Sequence, residues 1–209
     1  MMRPLLAAAV MLAVMGHATA KDVQKLNAIV DIYNSGDVAK AIPQFKSYLS
    51  AHADDDVGWT LLGQAHKDVG QNAEAKKAYT EALKQNPKRL EALTGLGMLA
   101  RIAKNYDEAM SRYEQAIKID PKFGGAYSSM VTIALKRGDF KKAVTLGEKG
   151  FQLNGKDPTI AANLAMAYHY AKQIEARDKM TKTAAKLGYS KADLDVLAKL
   201  YSGELTIMD

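Results

Sequence analysis

Apolar residues recur along most of the chain at spacings of three and four, the period of an α-helix with one buried face. One such stripe runs from Trp59 to His66 and a second from Ala75 to Ala82. Gly70 separates them, and glycine readily adopts the left-handed conformation that ends a helix. Asn86-Pro87 closes the second stripe, because the residue before proline is disfavoured in a helix. The pattern predicts two helices joined by a short turn.

This helix pair repeats with a period of 34 residues. The step links aromatic or large positions (Trp59, Leu93, Tyr127; Leu62, Leu96, Met130, Leu164; Phe45, Tyr79, Tyr113), alanines (Ala41, Ala75, Ala109, Ala143) and turn glycines (Gly36, Gly70, Gly138). Chance does not align so many positions of matched size, so the sequence predicts an internal repeat. The predicted units begin at Asp22, Asp56, Leu90, Gly124 and Pro158.

The repeat resembles the tetratricopeptide repeat family, whose signature is a Trp, a Leu-Gly pair, a later Ala, an aromatic residue and a closing Pro. The best match is in the second and third units, at Trp59, Leu62-Gly63, Ala75, Tyr79, Ala82, Pro87, Leu93, Leu96-Gly97, Ala109, Tyr113, Ala116 and Pro121. The resemblance implies an all-α fold over residues 21–189: a right-handed superhelical α-solenoid of about five antiparallel helix pairs.

The last two units depart from the signature. Gly147 and Gly150 replace an aromatic residue and an alanine in the fourth unit, which predicts helix packing there that is either unusually close or unusually loose. In the fifth unit the turn at Lys172-Gln173 is expected to be one residue short.

A terminal repeat has no neighbour to cover it and needs a cap with one polar face. Ser190 and Asp193 are placed to cap a helix over Lys191–Tyr201. Its predicted apolar stripe is Leu194, Leu197, Ala198 and Tyr201, and Gly203–Asp209 forms a tail. Residues 190–209 are therefore interpreted as a capping helix and tail.

In the family, the first helix of each pair lines the concave ligand surface. Residues on that helix but off its packing stripe are expected to line a partner-binding groove: Leu26, Val30, Tyr33, Thr60, Gln64, Lys67, Thr94, Met98, Arg101, Ser128, Thr132, Leu135, Ala162, Met166 and His169. The Lys, Asn and Arg clamp with which some members grip a terminal carboxylate is missing. Small hydroxyls and methionines suit an extended or helical peptide better. The alternatives are a solvated face or a groove filled by the chain's own N-terminal segment.

Residues 1–20 have the pattern of a secretory signal peptide: Arg3, the apolar run Leu5–Met15, and Ala18-Thr19-Ala20 before the expected cleavage. Eleven apolar residues are too few for a bilayer core, which needs about 20. The rest of the chain has no comparable run, so no transmembrane span is expected and the product is expected to be periplasmic or secreted. Without cysteine there is no disulfide and no lipid-modified cysteine.

The chain carries a net charge of +6, and +5 without Arg3. Residues 21–121 hold fourteen basic and fourteen acidic side chains, and residues 122–209 hold fourteen and nine. The basic patch comprises Lys136, Arg137, Lys141, Lys142, Arg177, Lys179, Lys182 and Lys186. An acidic envelope surface is a more plausible partner for it than nucleic acid, although a solvated face is the commoner explanation.

No catalytic constellation, metal site or cofactor motif is found. His52, His66 and His169 lack a second ligand at helical spacing. His66 lies on an apolar stripe and is expected in the core, and Gly95-Leu96-Gly97 indicates tight helix contact rather than a nucleotide loop. A metal-dependent hydrolase is thus disfavoured. The sequence predicts an exported, non-enzymatic protein-interaction scaffold, with a self-assembling scaffold that stacks end to end or through the groove as the alternative.

Overall fold

The computed structural model describes residues 20–206, which form eleven α-helices and no strand. The predicted signal segment, except Ala20, lies outside the described residues, as do the last three residues of the predicted tail. The helices are α1 (Ala20–Asn34), α2 (Val38–Ala51), α3 (Asp56–Asp68), α4 (Asn72–Gln85), α5 (Leu90–Ile102), α6 (Tyr106–Ile119), α7 (Gly124–Lys136), α8 (Phe140–Leu153), α9 (Pro158–Tyr170), α10 (Ile174–Lys186) and α11 (Lys191–Ser202). The predicted all-α fold is confirmed.

The first helices of four pairs begin at Asp56, Leu90, Gly124 and Pro158, the starts expected from the repeat. The expectation of a shortened turn in the fifth pair is wrong. Lys172 occupies the position that Gly70 and Gly138 hold in other pairs, and its φ of 60° is left-handed like theirs. Lys104 does the same in the third pair with a φ of 59°. The turn keeps its length because lysine adopts a conformation usually left to glycine.

Short polar side chains start most helices by accepting hydrogen bonds from exposed backbone N–H groups. The capping residues are Asp37, Asp55, Asn105, Asp139, Asp157 and Ser190. Asp55 caps α3 through bonds of 2.9 Å from both Val57 N and Gly58 N. The acidic residue before α3 thus satisfies two backbone donors at the start of that helix.

The helices fall into two compact units that divide between Leu99 and Ala100. In the first unit, Tyr79 of α4 is 1% exposed and forms a cluster with Ala75, Ala82, Ala92, Leu96 and Leu99. A Cβ on Gly63 would lie 2.7 Å from its ring, and one on Gly95 would lie 2.5 Å from it. The tyrosine ring therefore fits only because glycine occupies both neighbouring helix positions, as expected for Gly95.

The second unit resolves the question of close or loose packing at Gly147 and Gly150. A Cβ on Gly147 would lie 2.9 Å from Cδ1 of Leu164, and one on Gly150 would lie 2.8 Å from Cβ of Tyr127. Helix α8 therefore packs closely against its neighbours, since glycine leaves room for large side chains on the first helices.

Helix α11 covers the end of the second unit. Leu197 is buried with Ala161, Ala162 and Ala184, residues of α9 and α10. Leu200 is also buried, whereas Ala198, which was expected on the apolar stripe, is exposed. The stripe prediction is wrong at this residue because the buried face of α11 turns toward Leu197, Leu200 and the half-buried Tyr201.

Candidate functional site

A pocket of about 230 Å³ opens on the first unit. Helix α3 contributes one wall, the N-terminal part of α5 contributes another, and Tyr79 of α4 completes the lining. Of the fifteen predicted groove residues, five line it, together with Leu61, Glu91 and Gly95: Thr60, Gln64, Lys67, Thr94 and Met98.

A hydrogen-bond network fixes the polar side of this pocket. The Gln64 amide uses both ends: Nε2 donates to Oδ1 of Asp68 at 2.9 Å, and Oε1 accepts from the Tyr79 hydroxyl at 3.1 Å. Asp68, only 14% exposed, also accepts from Lys67 Nζ at 2.8 Å and from the Tyr33 hydroxyl. Gln64 is held in place by its neighbours and presents a defined surface.

Burial raises the pKa of Tyr79 well above its usual value, and the negative charge of Asp68 and the neighbouring Tyr33 add to the shift. The Tyr79 hydroxyl consequently keeps its proton at physiological pH and continues to donate to Gln64.

The two threonines of the pocket direct their hydroxyl hydrogens into their own helices. Thr60 Oγ1 donates to the Asp56 carbonyl at 2.7 Å, and Thr94 Oγ1 donates to the Leu90 carbonyl at 2.9 Å. Each therefore offers a ligand a methyl group and an acceptor oxygen but no donor. Thr60 is 8% exposed, and Thr94 is half-buried.

An ion pair sets the position of α5 relative to α3. Nε of Arg89 donates to Oδ2 of Asp56 at 2.6 Å, and Nδ2 of Asn86 donates to the same oxygen at 2.8 Å. Both charged side chains are 17% exposed. Asp56, the first residue of α3, is thus bound to the turn before α5, and this ion pair anchors both walls of the pocket.

Sequence reasoning missed Asp68 and Tyr33 as parts of this network. One available signal was the four-residue spacing between Gln64 and Asp68, at which Gln and Asp side chains meet on a helix. Tyr33 comes from the preceding repeat, and no local spacing indicates its bond to Asp68.

Five further predicted groove residues belong to the second unit and are half-buried: Arg101, Ser128, Thr132, Met166 and His169. Thr132 Oγ1 donates to the Ser128 carbonyl at 3.1 Å, and Asn163 Nδ2 donates to the same carbonyl at 3.5 Å. These hydroxyl and amide groups are used within the unit.

His169 lies beside the capping helix. Its ring centroid is 4.9 Å from that of Tyr201 and 5.1 Å from that of Tyr170. Arg177 lies over the Tyr201 ring, 4.8 Å from its centroid. Burial, followed by the positive charge of Arg177, lowers the pKa of His169. The neutral form of this histidine is therefore favoured in the folded protein.

Five residues expected to face the groove are instead buried: Leu26, Val30, Tyr33, Leu135 and Ala162. The first three pack in one cluster with Leu61 and Leu62 of α3, because the next first helix covers them. Leu135 packs with residues of α9, and Ala162 packs with α10 and α11. The expectation is wrong where the position holds an apolar residue that a neighbouring helix covers.

The core position expected for His66 is confirmed, since it is 2% exposed and its Nδ1 lies 2.5 Å from Oε1 of Gln71.

Within the described part of the chain, no three His, Asp or Glu side chains converge on a point that could hold a metal ion. Among residues 20–206, none of the helices combines the length and apolar character that a membrane crossing requires.

The fold and the pocket define a protein of repeated antiparallel helix pairs. Residues 60–122 match the family model described as tetratricopeptide repeat. The chain is 28% identical over 126 residues to the general transcriptional corepressor trfA of Dictyostelium discoideum, a match that covers 59% of this chain and 9% of that protein. It is 26% identical over 156 residues to the mitochondrial import receptor subunit TOM70 of Rattus norvegicus, which covers 74% and 24%. The chain therefore spans less than a quarter of the length of these curated relatives.

Solved structures share the fold over most of the chain. PilF of Pseudomonas aeruginosa superposes with a TM-score of 0.76 at 16% identity, covering 87% of this chain and 83% of that one. PilW, described as a widely conserved type IV pilus biogenesis factor, gives 0.75 at 18% identity and covers 91% and 90%. The family model supports tetratricopeptide repeats over residues 60–122, and these structures share the fold of the helix pairs.

Proposed function

We propose that this protein is a non-enzymatic scaffold that binds a peptide segment or a helix of a partner protein on the first helices of its repeats. The observation that carries the proposal is the pocket of the first unit, which is lined by Thr60, Gln64, Lys67, Thr94 and Met98. The repeat assignment supports it, because arrays of this class present such surfaces for protein binding.

The lining residues indicate the chemistry of the ligand. Met98, Leu61 and the two threonine methyls favour an apolar anchor, and about 230 Å³ accommodates one large aliphatic or aromatic side chain. Lys67 is already paired with Asp68 at 2.8 Å, so an acidic chain terminus would have to compete for that ammonium group. The expected ligand is therefore a peptide with an apolar anchor rather than one gripped by its carboxylate.

Peptide display against the purified protein, followed by fluorescence anisotropy on the selected sequences, tests the proposal. Thr94→Trp fills the pocket and is expected to weaken binding at least tenfold. Thr80→Trp places the same side chain on the exposed side of α4 and is the matched control. Selected peptides that bind both variants equally would contradict the proposed site, and failure to select any peptide would contradict peptide binding.

The export proposal and the envelope role depend on the N-terminal segment. PilW is described as a type IV pilus biogenesis factor, but PilF and PilW share only the fold with this chain, at 16% and 18% identity. Mass spectrometry of the protein recovered from periplasmic or culture fractions is expected to give an N-terminus at Lys21. A chain that retains Arg3 and stays in the cytoplasm would contradict export.

Self-assembly is the alternative function. In α1, the exposed Lys25 and Ala28 stand where the next repeat has Trp59 and Leu62. This exchange gives the first helix a more polar outer face and does not favour end-to-end stacking. Light scattering over a concentration series decides between a monomeric scaffold and a growing assembly.

A further inference from the structure

The excess of basic over acidic residues between positions 21 and 209 lies in the second unit. Residues 21–99 hold ten basic and ten acidic side chains, whereas residues 100–209 hold eighteen and thirteen. The pocket of the first unit thus lies in a neutral region, and the excess belongs to helices that the proposed peptide site does not use.

Both arginines of the predicted basic patch are engaged inside the unit. Arg137 Nη2 lies 2.7 Å from Oδ1 of Asp107, and its guanidinium lies 5.7 Å from the Tyr106 ring centroid. Arg177 pairs with Asp178 at 2.7 Å and stacks on Tyr201. Lys136 also has an interaction within the chain.

Five lysines of the patch remain exposed, and none forms an ion pair within residues 20–206: Lys141, Lys142, Lys179, Lys182 and Lys186. We call them the lysine face. Three of them recur on α10 at steps of three and four, which places them on one side of that helix. The other two lie in the first turn of α8, and both α8 and α10 pack against α9.

Acidic side chains near the lysine face are few and partly occupied. Glu148 of α8 accepts the Tyr168 hydroxyl at 2.8 Å, and Asp178 of α10 holds Arg177. Two exposed carboxylates also stand near these lysines: Glu175, which shares the lysine side of α10, and Asp139, the N-cap of α8, which accepts from Lys142 N at 3.0 Å. The lysine face therefore carries a net positive charge that the unit does not neutralise.

We propose that the lysine face binds the anionic headgroups of a lipid bilayer. Lysine is a compact point charge without the bidentate geometry of arginine, and it suits a broad layer of negative charge rather than a single oriented carboxylate. Each lysine near an anionic membrane surface strengthens binding roughly fivefold. Ile174, at the start of α10, is 48% exposed and offers an apolar contact to the interface beside these charges.

Sedimentation with vesicles tests this inference. One vesicle preparation contains phosphatidylglycerol mixed with phosphatidylcholine, and the other contains phosphatidylcholine alone. We expect the purified protein to bind the first preparation, to bind the second weakly, and to dissociate as the NaCl concentration rises, because salt screens exposed charges.

The decisive comparison uses two variants with the same change in net charge. The first replaces the five residues of the lysine face with Gln, and the second replaces five exposed lysines of the first unit with Gln: Lys25, Lys40, Lys46, Lys77 and Lys88. Partitioning into anionic vesicles is expected to fall about tenfold or more in the first variant and much less in the second. Circular dichroism checks that both stay folded.

Equal losses in the two variants would overturn the proposal, because net charge rather than the lysine face would then control binding. Absence of wild-type binding to the anionic vesicles would overturn it as well. Salt-dependent binding to poly-glutamate without binding to vesicles would also overturn it, because this result would indicate an acidic protein partner. The inference does not depend on the peptide site, since neither variant changes a residue that lines the pocket.

Discussion

The pair α3–α4 of the first unit and the pair α7–α8 of the second unit place the large and the small residue of a helix contact on opposite helices. In the first unit the large side chain is Tyr79 on the second helix of a pair, and the small residues are Gly63 and Gly95 on first helices. In the second unit Gly147 and Gly150 lie on the second helix, and the first helices supply Leu164 and Tyr127. The repeat therefore requires one large and one small partner at this contact but leaves open which helix provides each.

This exchange changes the surface available for binding. Tyr79 sends its hydroxyl through the contact to Gln64, which lines the pocket. The second unit has Gly147 at the position of Tyr79, and Thr132, the counterpart of Gln64, donates to the backbone of its own helix. An aromatic residue on the second helix thus connects packing to the binding surface at Tyr79, and Gly147 makes no such connection in the pair α7–α8.

The largest expected effect on stability comes from adding a methyl group at a glycine that packs against a large side chain. Gly95→Ala and Gly150→Ala are each expected to lower the free energy of unfolding by about 1–3 kcal/mol through overpacking. Gly125→Ala is the control, because the nearest atom to its Cβ lies at 3.7 Å and the change gains up to about 1 kcal/mol of helix propensity. Urea titration measures all three, and equal stability of the three variants would contradict the packing comparison.

Double-mutant cycles distinguish the contact at Gly95 from the contact at Gly150. The Cβ of Gly95→Ala meets the far end of the Tyr79 ring, so Tyr79→Leu is expected to reduce the damage, with a coupling of about 1–2 kcal/mol in a double-mutant cycle. The Cβ of Gly150→Ala meets Cβ of Tyr127, which Tyr127→Leu retains. In that cycle the losses are expected to add within about 0.5 kcal/mol. Rescue in both cycles, or in neither, would refute the assigned geometry.

Tyr79 and Tyr113 occupy the same repeat position but differ in the hydrogen bonding of their hydroxyls, and a smaller effect on stability is expected from removing either hydroxyl. Tyr79→Phe removes a bond to Gln64 and is expected to cost about 1 kcal/mol. The buried hydroxyl of Tyr113 has no hydrogen-bond partner among the described residues, so Tyr113→Phe is expected to be neutral or stabilising. Thermal unfolding of the two variants measures the difference, and a larger loss for Tyr113→Phe would reverse this part of the account.

The turns also differ between the units, since the second unit uses lysine at two left-handed positions where the first uses glycine. Lys172→Gly is expected to raise the free energy of unfolding by about 0.5–1 kcal/mol by relieving backbone strain, and Gly138→Lys is expected to lower it by about 1 kcal/mol. Denaturant titration that gives the opposite signs would show that these turns are not strained.

The smallest expected effect is a pH dependence limited to the second unit. Because the pKa of His169 is lowered in the folded protein, the unfolded state binds the proton more readily. Its contribution to stability is therefore fully present above the ordinary histidine pKa of about 6.5 and is lost as the pH falls through the folded-state value. Wild type is expected to lose more stability than His169→Gln between pH 7 and pH 5 in thermal scans, and parallel losses would exclude this role.

The repeat made the helix pairs and most core positions predictable, because size-matched residues recur every 34 positions. It did not reveal that Lys172 replaces a turn glycine, since the pattern is read from residue types and not from φ. The candidate site was predictable at Thr60, Gln64 and Met98, which lie off the packing stripe. Contacts such as Tyr33 with Asp68 depend on how one repeat meets the next, and a single repeat does not encode that geometry.

The most direct test of the central claim, that the pocket of the first unit receives a partner, is site-specific photo-crosslinking in living cells. A benzoylphenylalanine residue in place of Met98 reports from the pocket, and one in place of the exposed Lys77 is the control. We expect a discrete covalent adduct with another protein from position 98, lost when Thr94→Trp is added, and no such adduct from position 77. No adduct from position 98, or the same adduct from both positions, would contradict it.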